Sequence, residues 1–147
     1  MRIDVHEQLS EVNATLSEIY QRLDGGLTPL MQAIGAIVEG STRERFGTKT
    51  APDGTSWAAL RPSTVAIKNG RGSLMVDRGD LMRSITHHAT AVSIEVGTDR
   101  PYAKYLQTGT KKSDGTQRMV ARPFLGLSED DFTDIRELLN DFLEDLS

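Results

Sequence analysis

Apolar residues recur with a helical period at both ends of this chain and with a strand period only near its middle, and that change of period decides the fold class. Leu9, Val12, Leu16, Ile19 and Leu23 follow one another at steps of three and four residues, which places them on one helix face. Phe132, Ile135, Leu139, Phe142, Leu143 and Leu146 do the same at the other end. Between them, Val92, Ile94 and Val96 alternate with Ser93 and Glu95, the two-residue period of a half-buried strand. The pattern predicts an α+β domain: an N-terminal helical pair, a small antiparallel β-sheet, and a C-terminal helix packed on the sheet.

Local punctuation refines this. Asp24-Gly25-Gly26 closes the first helix, because glycine accepts the left-handed conformation that follows a helix end. Thr28 is the expected cap of a second helix and Pro29 suits its first turn. Leu30, Ile34, Ile37 and Val38 form its buried face as it runs toward Phe46. Gly35 and Gly40 weaken it by about 1 kcal/mol each where exposed; they either make room for another helix or are simply tolerated. Residues 47–60 read as a loop, with a type I turn at Ala51-Pro52-Asp53-Gly54 and the single tryptophan, Trp57, as a core anchor beneath it. A short helix is expected at 62–68 and a flexible break at Asn69-Gly70-Arg71-Gly72. Residues 81–89 and 91–96 read as neighbouring strands of a hairpin. One or two helical turns follow at 102–107, with Tyr102, Ala103 and Leu106 on one side. The polar stretch 108–118 is a long loop or hairpin tip, and 119–124 returns as a strand. Ser128 caps the last helix, whose first turn carries Glu129, Asp130 and Asp131.

At 147 residues the chain fits one domain, 1–147, with an amphipathic helix in its first 26 residues. It has no cysteine, which excludes disulfides and thiolate metal sites and suits a reducing cytoplasm. The opening MRIDVHEQLSEV lacks the apolar core of a secretion signal, and no run approaches the roughly 20 residues that span a bilayer.

Candidate chemistry is sparse. His87 and His88 are adjacent on an expected strand, so they face opposite ways and cannot share an ion. There is no G-x-S-x-G elbow, and Gly70-Arg71-Gly72-Ser73 lacks the lysine of a phosphate loop. The sequence therefore predicts no catalytic, cofactor or metal site. Charge carries more. The net charge of −4 argues against tight autonomous binding to nucleic acid. Lys104, Lys111, Lys112, Arg118 and Arg122 cluster in sequence, whereas the stretch from Glu129 to Asp145 is strongly acidic. The basic five are the candidate contacts with a subunit or partner, an acidic protein neighbour being preferred to DNA; two solvated surfaces are the plainer reading of the same asymmetry.

A longer pattern runs through the chain. Arg45-Phe46 is followed by Pro52-Asp53-Gly54 with Trp57 and Leu60, then Thr64 and Lys68. Leu74 precedes Arg78-Gly79-Asp80-Leu81 and Ser84-Ile85. Val96-Gly97, Tyr102-Ala103 and Gln107-Thr108-Gly109 come next, and the series closes with Ala121-Arg122-Pro123-Phe124-Leu125-Gly126. Over residues 40–146 this order resembles the phage virion morphogenesis, or tail completion, family of Mu-like and P2-like phages. Arg78-Gly79 stands where the family pattern has Thr-Gly. The resemblance implies a structural, non-enzymatic subunit of the tail or neck at the head–tail junction, assembled in the bacterial host cytoplasm and carried in the virion. It implies a ring, hexameric to match tail symmetry, whose partners are its own copies and the tail tube and neck or connector proteins. DNA would pass through the lumen without specific binding, and no membrane partner is implied. A small DNA-binding or packaging accessory protein is the alternative.

Overall fold

Helix α2, Thr28–Thr48, is the beam on which the other elements of the computed structural model are laid. The structure describes residues 1–23, 26–59, 80–111, 113–115 and 117–146. The short helix expected at 62–68, the break at 69–72, and Asp24, Gly25, Leu60, Leu74, Arg78 and Gly79 lie outside the described residues. The buried positions of α2 include Leu30, Met31, Ile34, Val38, Thr42, Arg45 and Phe46, so a single stripe faces inward along its length. Thr28 does not cap this helix. It is the first helical residue, Leu27 takes the cap position, and no side chain bonds there. Pro29 still falls in the first turn, where its missing N–H costs nothing. The helix passes Phe46 by two residues and stops on Lys49, which adopts a left-handed φ of 59°.

The expected first helix is two helices in series. A 3-10 helix covers His6–Val12 and α1 covers Asn13–Arg22. Leu9 and Val12 are three residues apart, the spacing that lines up along a 3-10 helix, while the later steps suit an α-helix. Leu9, Val12, Leu16 and Ile19 are all buried, so the apolar stripe survives the change of helix type.

Three strands form an antiparallel sheet in the order β1-β3-β2: β1 Arg2–Asp4, β2 Thr86–Ala89 and β3 Ile94–Gly97. Central β3 pairs Val96 with Ile3 on one side and with His87 on the other. It turns Ile94 and Val96 inward, as the alternation requires, while Val92 falls outside the strand and is exposed. Strand β1 had no sequence signal, being too short to show a period. Gly97 admits it: a Cβ there would collide with the Met1 carbonyl and the Arg2 backbone. The expected strand at 81–89 is divided. Its first part is helix α3, Asp80–Ser84, and only the remainder is β2. Leu81 and Ile85 are both buried and lie four residues apart, a helical step in a run too short for its period to decide.

α2 covers this sheet, touching β2 and β3. Gly35 makes the approach close, since a Cβ there would lie 2.7 Å from Cδ2 of His87. The neighbour it admits is thus a strand rather than another helix, and Gly40 meets nothing within 4 Å. Helix α4, Ala103–Thr108, leads into a two-stranded hairpin of β4, Thr110–Lys111, and β5, Gln117–Met119. Helix α5, Glu129–Asp145, begins with a capping box between Ser128 and Asp131 and packs Ile135 and Leu139 inward, against α2 and α1. The strand expected at 119–124 does not form beyond Met119; the Arg122 amide bonds the Leu106 carbonyl, and the backbone from Pro123 to Leu125 bonds side chains instead of a ladder.

Candidate functional site

Residues Arg122 to Gly126 run between β5 and α5 without secondary structure, so their buried backbone groups need partners from elsewhere. Three parts of the fold supply them: α4, α2 and the loop that carries Trp57. Gln107 on α4 accepts from the amides of Phe124 and Leu125 at 3.0 Å each, and its own amide donates to the Leu125 carbonyl at 3.0 Å. Arg45 on α2 donates to the carbonyls of Phe124 (2.7 Å) and Gly126 (3.0 Å). The Trp57 indole N–H donates to the Pro123 carbonyl at 2.7 Å. The Arg122 amide donates to the Leu106 carbonyl at 2.7 Å. Pro123 has no amide to satisfy. Phe124 is fully buried against Phe46, which meets Trp57 edge-on with centroids 5.6 Å apart. Gly126 has φ 147° and sits against the Pro52 ring, where a Cβ would come within 2.9 Å. The turn bearing Pro52 is closed by a Gly54 amide to Ala51 carbonyl bond of 2.9 Å, and Asp53 accepts from the Thr55 amide. That bond holds the Asp53 carboxyl below its ordinary pKa.

Beneath this clasp lies an ion pair that the sequence reading missed. Arg45 reaches Asp131 at 2.8 Å, with side chains only 5% and 2% exposed. Burial pushes the Arg45 guanidinium below its usual pKa, and Asp131 opposes that by charge and hydrogen bond. Asp131 also accepts from the Ser128 amide at 3.0 Å, so one carboxylate both pairs the arginine and starts α5. Arg45 was legible as an anomaly, because it falls seven residues after Val38 on the buried stripe of α2. A charge there requires a partner.

The five candidate contact residues divide. Lys104 on α4 and Lys111 on β4 are exposed, and the Lys104 ammonium lies 5.1 Å from the centre of the Tyr105 ring. Tyr105 and Tyr102 beside it are each nearly half exposed. Lys112 lies outside the described residues, and so does the side chain of Arg118 on β5. Arg122 is buried and turned inward, donating to the carbonyls of Ala58 (2.9 Å) and Ala59 (3.0 Å). Desolvation lowers its pKa. Arg122 therefore holds the loop after Trp57, while Lys104 and Lys111 lie exposed on α4 and β4.

A second surface has the opposite sign. On α5, Asp130, Asp134, Glu137, Asp141 and Glu144 are exposed at successive steps of four, three, four and three residues. They make an acidic stripe on the face turned from Ile135 and Leu139. An open groove of about 340 Å³ lies between α1 and the β2–β3 turn, floored by Leu16, Leu27 and Met31 and edged by Tyr20 and Val92. His87 faces α2 with Nδ1 3.4 Å from Glu39, and His88 on the opposite face is exposed. Among the described residues no three His, Asp or Glu side chains come together in a metal-binding group. No helix among them is long and apolar enough to cross a membrane.

Comparison with known proteins points one way. The model of the phage virion morphogenesis family matches residues 7–144. The chain is 32% identical over 117 residues to Mu-like prophage FluMu G protein 2 of Haemophilus influenzae, covering 79% of this chain and 78% of that protein. It is 25% identical to Mu-like prophage FluMu G protein 1 of the same organism, across 100% of this chain and 99% of that one. No solved structure gives a significant match.

Proposed function

This chain belongs to the phage virion morphogenesis family, and from that premise we propose that it is a structural subunit completing the tail or neck at the head–tail junction. In this reading it works as one member of a ring, hexameric like the tail, seated against tail tube and neck or connector proteins, with DNA passing through without sequence-specific contact. It catalyses no reaction and ends in the virion after assembly in the host cytoplasm. The observation that carries the reading is the extent of the family match. It runs from the 3-10 helix to the last turn of α5, so the match takes in the clasp, strands β2 and β3, and both charged surfaces together.

The architecture suits such a task. The conspicuous polar side chains of the interior, Arg45, Gln107, Arg122 and Asp131, all bind backbone or one another. Each is spent on a bond inside the fold, and together they fix its shape. Rigid, oppositely charged surfaces are what a subunit needs to find and orient its neighbours, because charge sets association rate and register more than affinity.

Electron microscopy of particles made when this gene alone is deleted tests the reading. Filled heads beside separate tails, or tails of abnormal length, are the expected result. Intact, joined particles would overturn it, and would turn attention to DNA packaging or delivery.

A further inference from the structure

We propose that the acidic stripe of α5 is the docking surface for the α4–β4 face of a second copy of this chain, so that copies join head to tail. The proposal rests on the structural-subunit reading and specifies its self-contact.

The two faces are chemically complementary. α5 carries eight carboxylates and one arginine between Glu129 and Asp145, which outweighs the chain's net charge of −4. Around α4 and β4, Arg100, Lys104 and Lys111 are exposed, outnumbering the exposed Asp99 and Asp114 there. The acidic stripe is built against the interest of the helix that bears it. Asp130 with Asp134 and Glu137 with Asp141 are like charges four residues apart, and such pairs cost helix stability. Glu144 and Asp145 sit in the last turn, where the helix dipole disfavours anions and where no basic residue compensates. The single arginine, Arg136, lies over the Phe132 ring, off the stripe. A partner cation relieves this repulsion, and the same chain presents cations on another element.

Charge alone steers an encounter without holding it, and the basic face has something further. Tyr102 and Tyr105 are two of the few large apolar side chains exposed among the described residues, and they flank Lys104. Aromatic side chains beside a cation are the usual anchors of protein contacts. On the acidic side the half-buried Leu138 borders Glu137 and Asp141 and offers them an apolar landing. Because the two surfaces differ, the contact is heterologous, and repetition about an axis closes a ring.

Charge reversal provides the test. One variant carries Lys104→Glu and Lys111→Glu, so both of its faces are acidic. A second carries Glu137→Lys and Asp141→Lys, so both are basic. Self-association is measured by sedimentation velocity and cross-linking at low and high salt. The wild type should associate, less so as salt rises. Each variant alone should associate about tenfold or more weakly. An equal mixture of the two should recover association, because every contact in an alternating array again joins opposite charges. The neutral pairs Lys104→Gln with Lys111→Gln, and Glu137→Gln with Asp141→Asn, give the same reading without new charges, each weakening association. Wild type that stays monomeric at its highest soluble concentration, variants that associate like wild type, or a mixture no better than its components would each overturn the proposal. The deletion phage separates the two levels of argument. Unjoined heads and tails together with a monomeric protein remove only the self-contact, whereas normal particles remove the structural reading itself.

Discussion

Replacing Asp131 by asparagine isolates the buried charge pair better than any other single change. Asparagine keeps an oxygen where the carboxylate accepts from the Ser128 amide, so the capping of α5 largely survives. What disappears is the charge 2.8 Å from Arg45, in a place where the two side chains are 5% and 2% exposed. With charge centres roughly 4 Å apart and an effective dielectric of about 20, the lost attraction is about 4 kcal/mol. Breaking one side of a buried pair costs roughly 3–5 kcal/mol in general, because the other charge is stranded. Arg45 keeps the carbonyls of Phe124 and Gly126 as acceptors, so the lower end applies, about 3 kcal/mol. For a domain of this size that lowers the melting temperature by about 10 °C. Urea unfolding followed by fluorescence measures it directly, since Trp57 is the single tryptophan and is packed against Phe46 at the clasp. A double-mutant cycle with Arg45→Met should give a coupling energy of about 2–3 kcal/mol. A loss below about 1 kcal/mol for Asp131→Asn, or no coupling, would refute the argument that burial makes this pair indispensable.

Three further substitutions test other parts of the fold by the same urea assay. Gly97→Ala should destabilise by about 1–3 kcal/mol, because the added carbon collides with the backbone of β1 and nothing there can yield; an unchanged midpoint would contradict that packing. Lys49→Gly should stabilise by about 0.5–1 kcal/mol, the strain of a left-handed lysine exceeding the entropy glycine brings, and a lower midpoint would count against the helix end as described. Gln107→Ala leaves the amides of Phe124 and Leu125 without their acceptor and should cost about 1–3 kcal/mol; a neutral result would mean that water replaces the glutamine.

What could be read from the sequence, and what could not, follows from the range over which each signal acts. The helices at the two ends, the cap at Ser128 and the turn at Pro52 were legible because their causes lie within a few residues. The strand β1 and the split of 81–89 into α3 and β2 were not, since three to five residues cannot display a period, and packing chose between the options. Residues 119–124 misled for another reason. Phe124 and Leu125 look like strand residues, but Pro123 removes a ladder donor and Gln107, Arg45 and Trp57 claim the rest. These partners lie 17 to 79 residues away, and no local pattern announces them. Among the candidate contacts, Lys104 and Lys111 are exposed, while Arg122 belongs to the interior, where its guanidinium donates to two carbonyls near Trp57.

The clasp also bears on the proposed contact between α4 and a second copy. Gln107 lies on the same short helix as Lys104 and Tyr105, and its three bonds to Phe124 and Leu125 fix that helix against the core. A helix of six residues has little stability of its own. Its orientation, and therefore the positions of Lys104, Tyr102 and Tyr105, is inherited from the buried network that runs through Arg45 to Asp131 and into α5. One network thus holds the helix bearing Lys104 and the first turn of the helix bearing the acidic stripe. Under the proposed head-to-tail contact, a rigid link between the two faces would set the angle between successive copies, and that angle, more than the strength of the contact, would decide whether a chain of subunits closes into a ring.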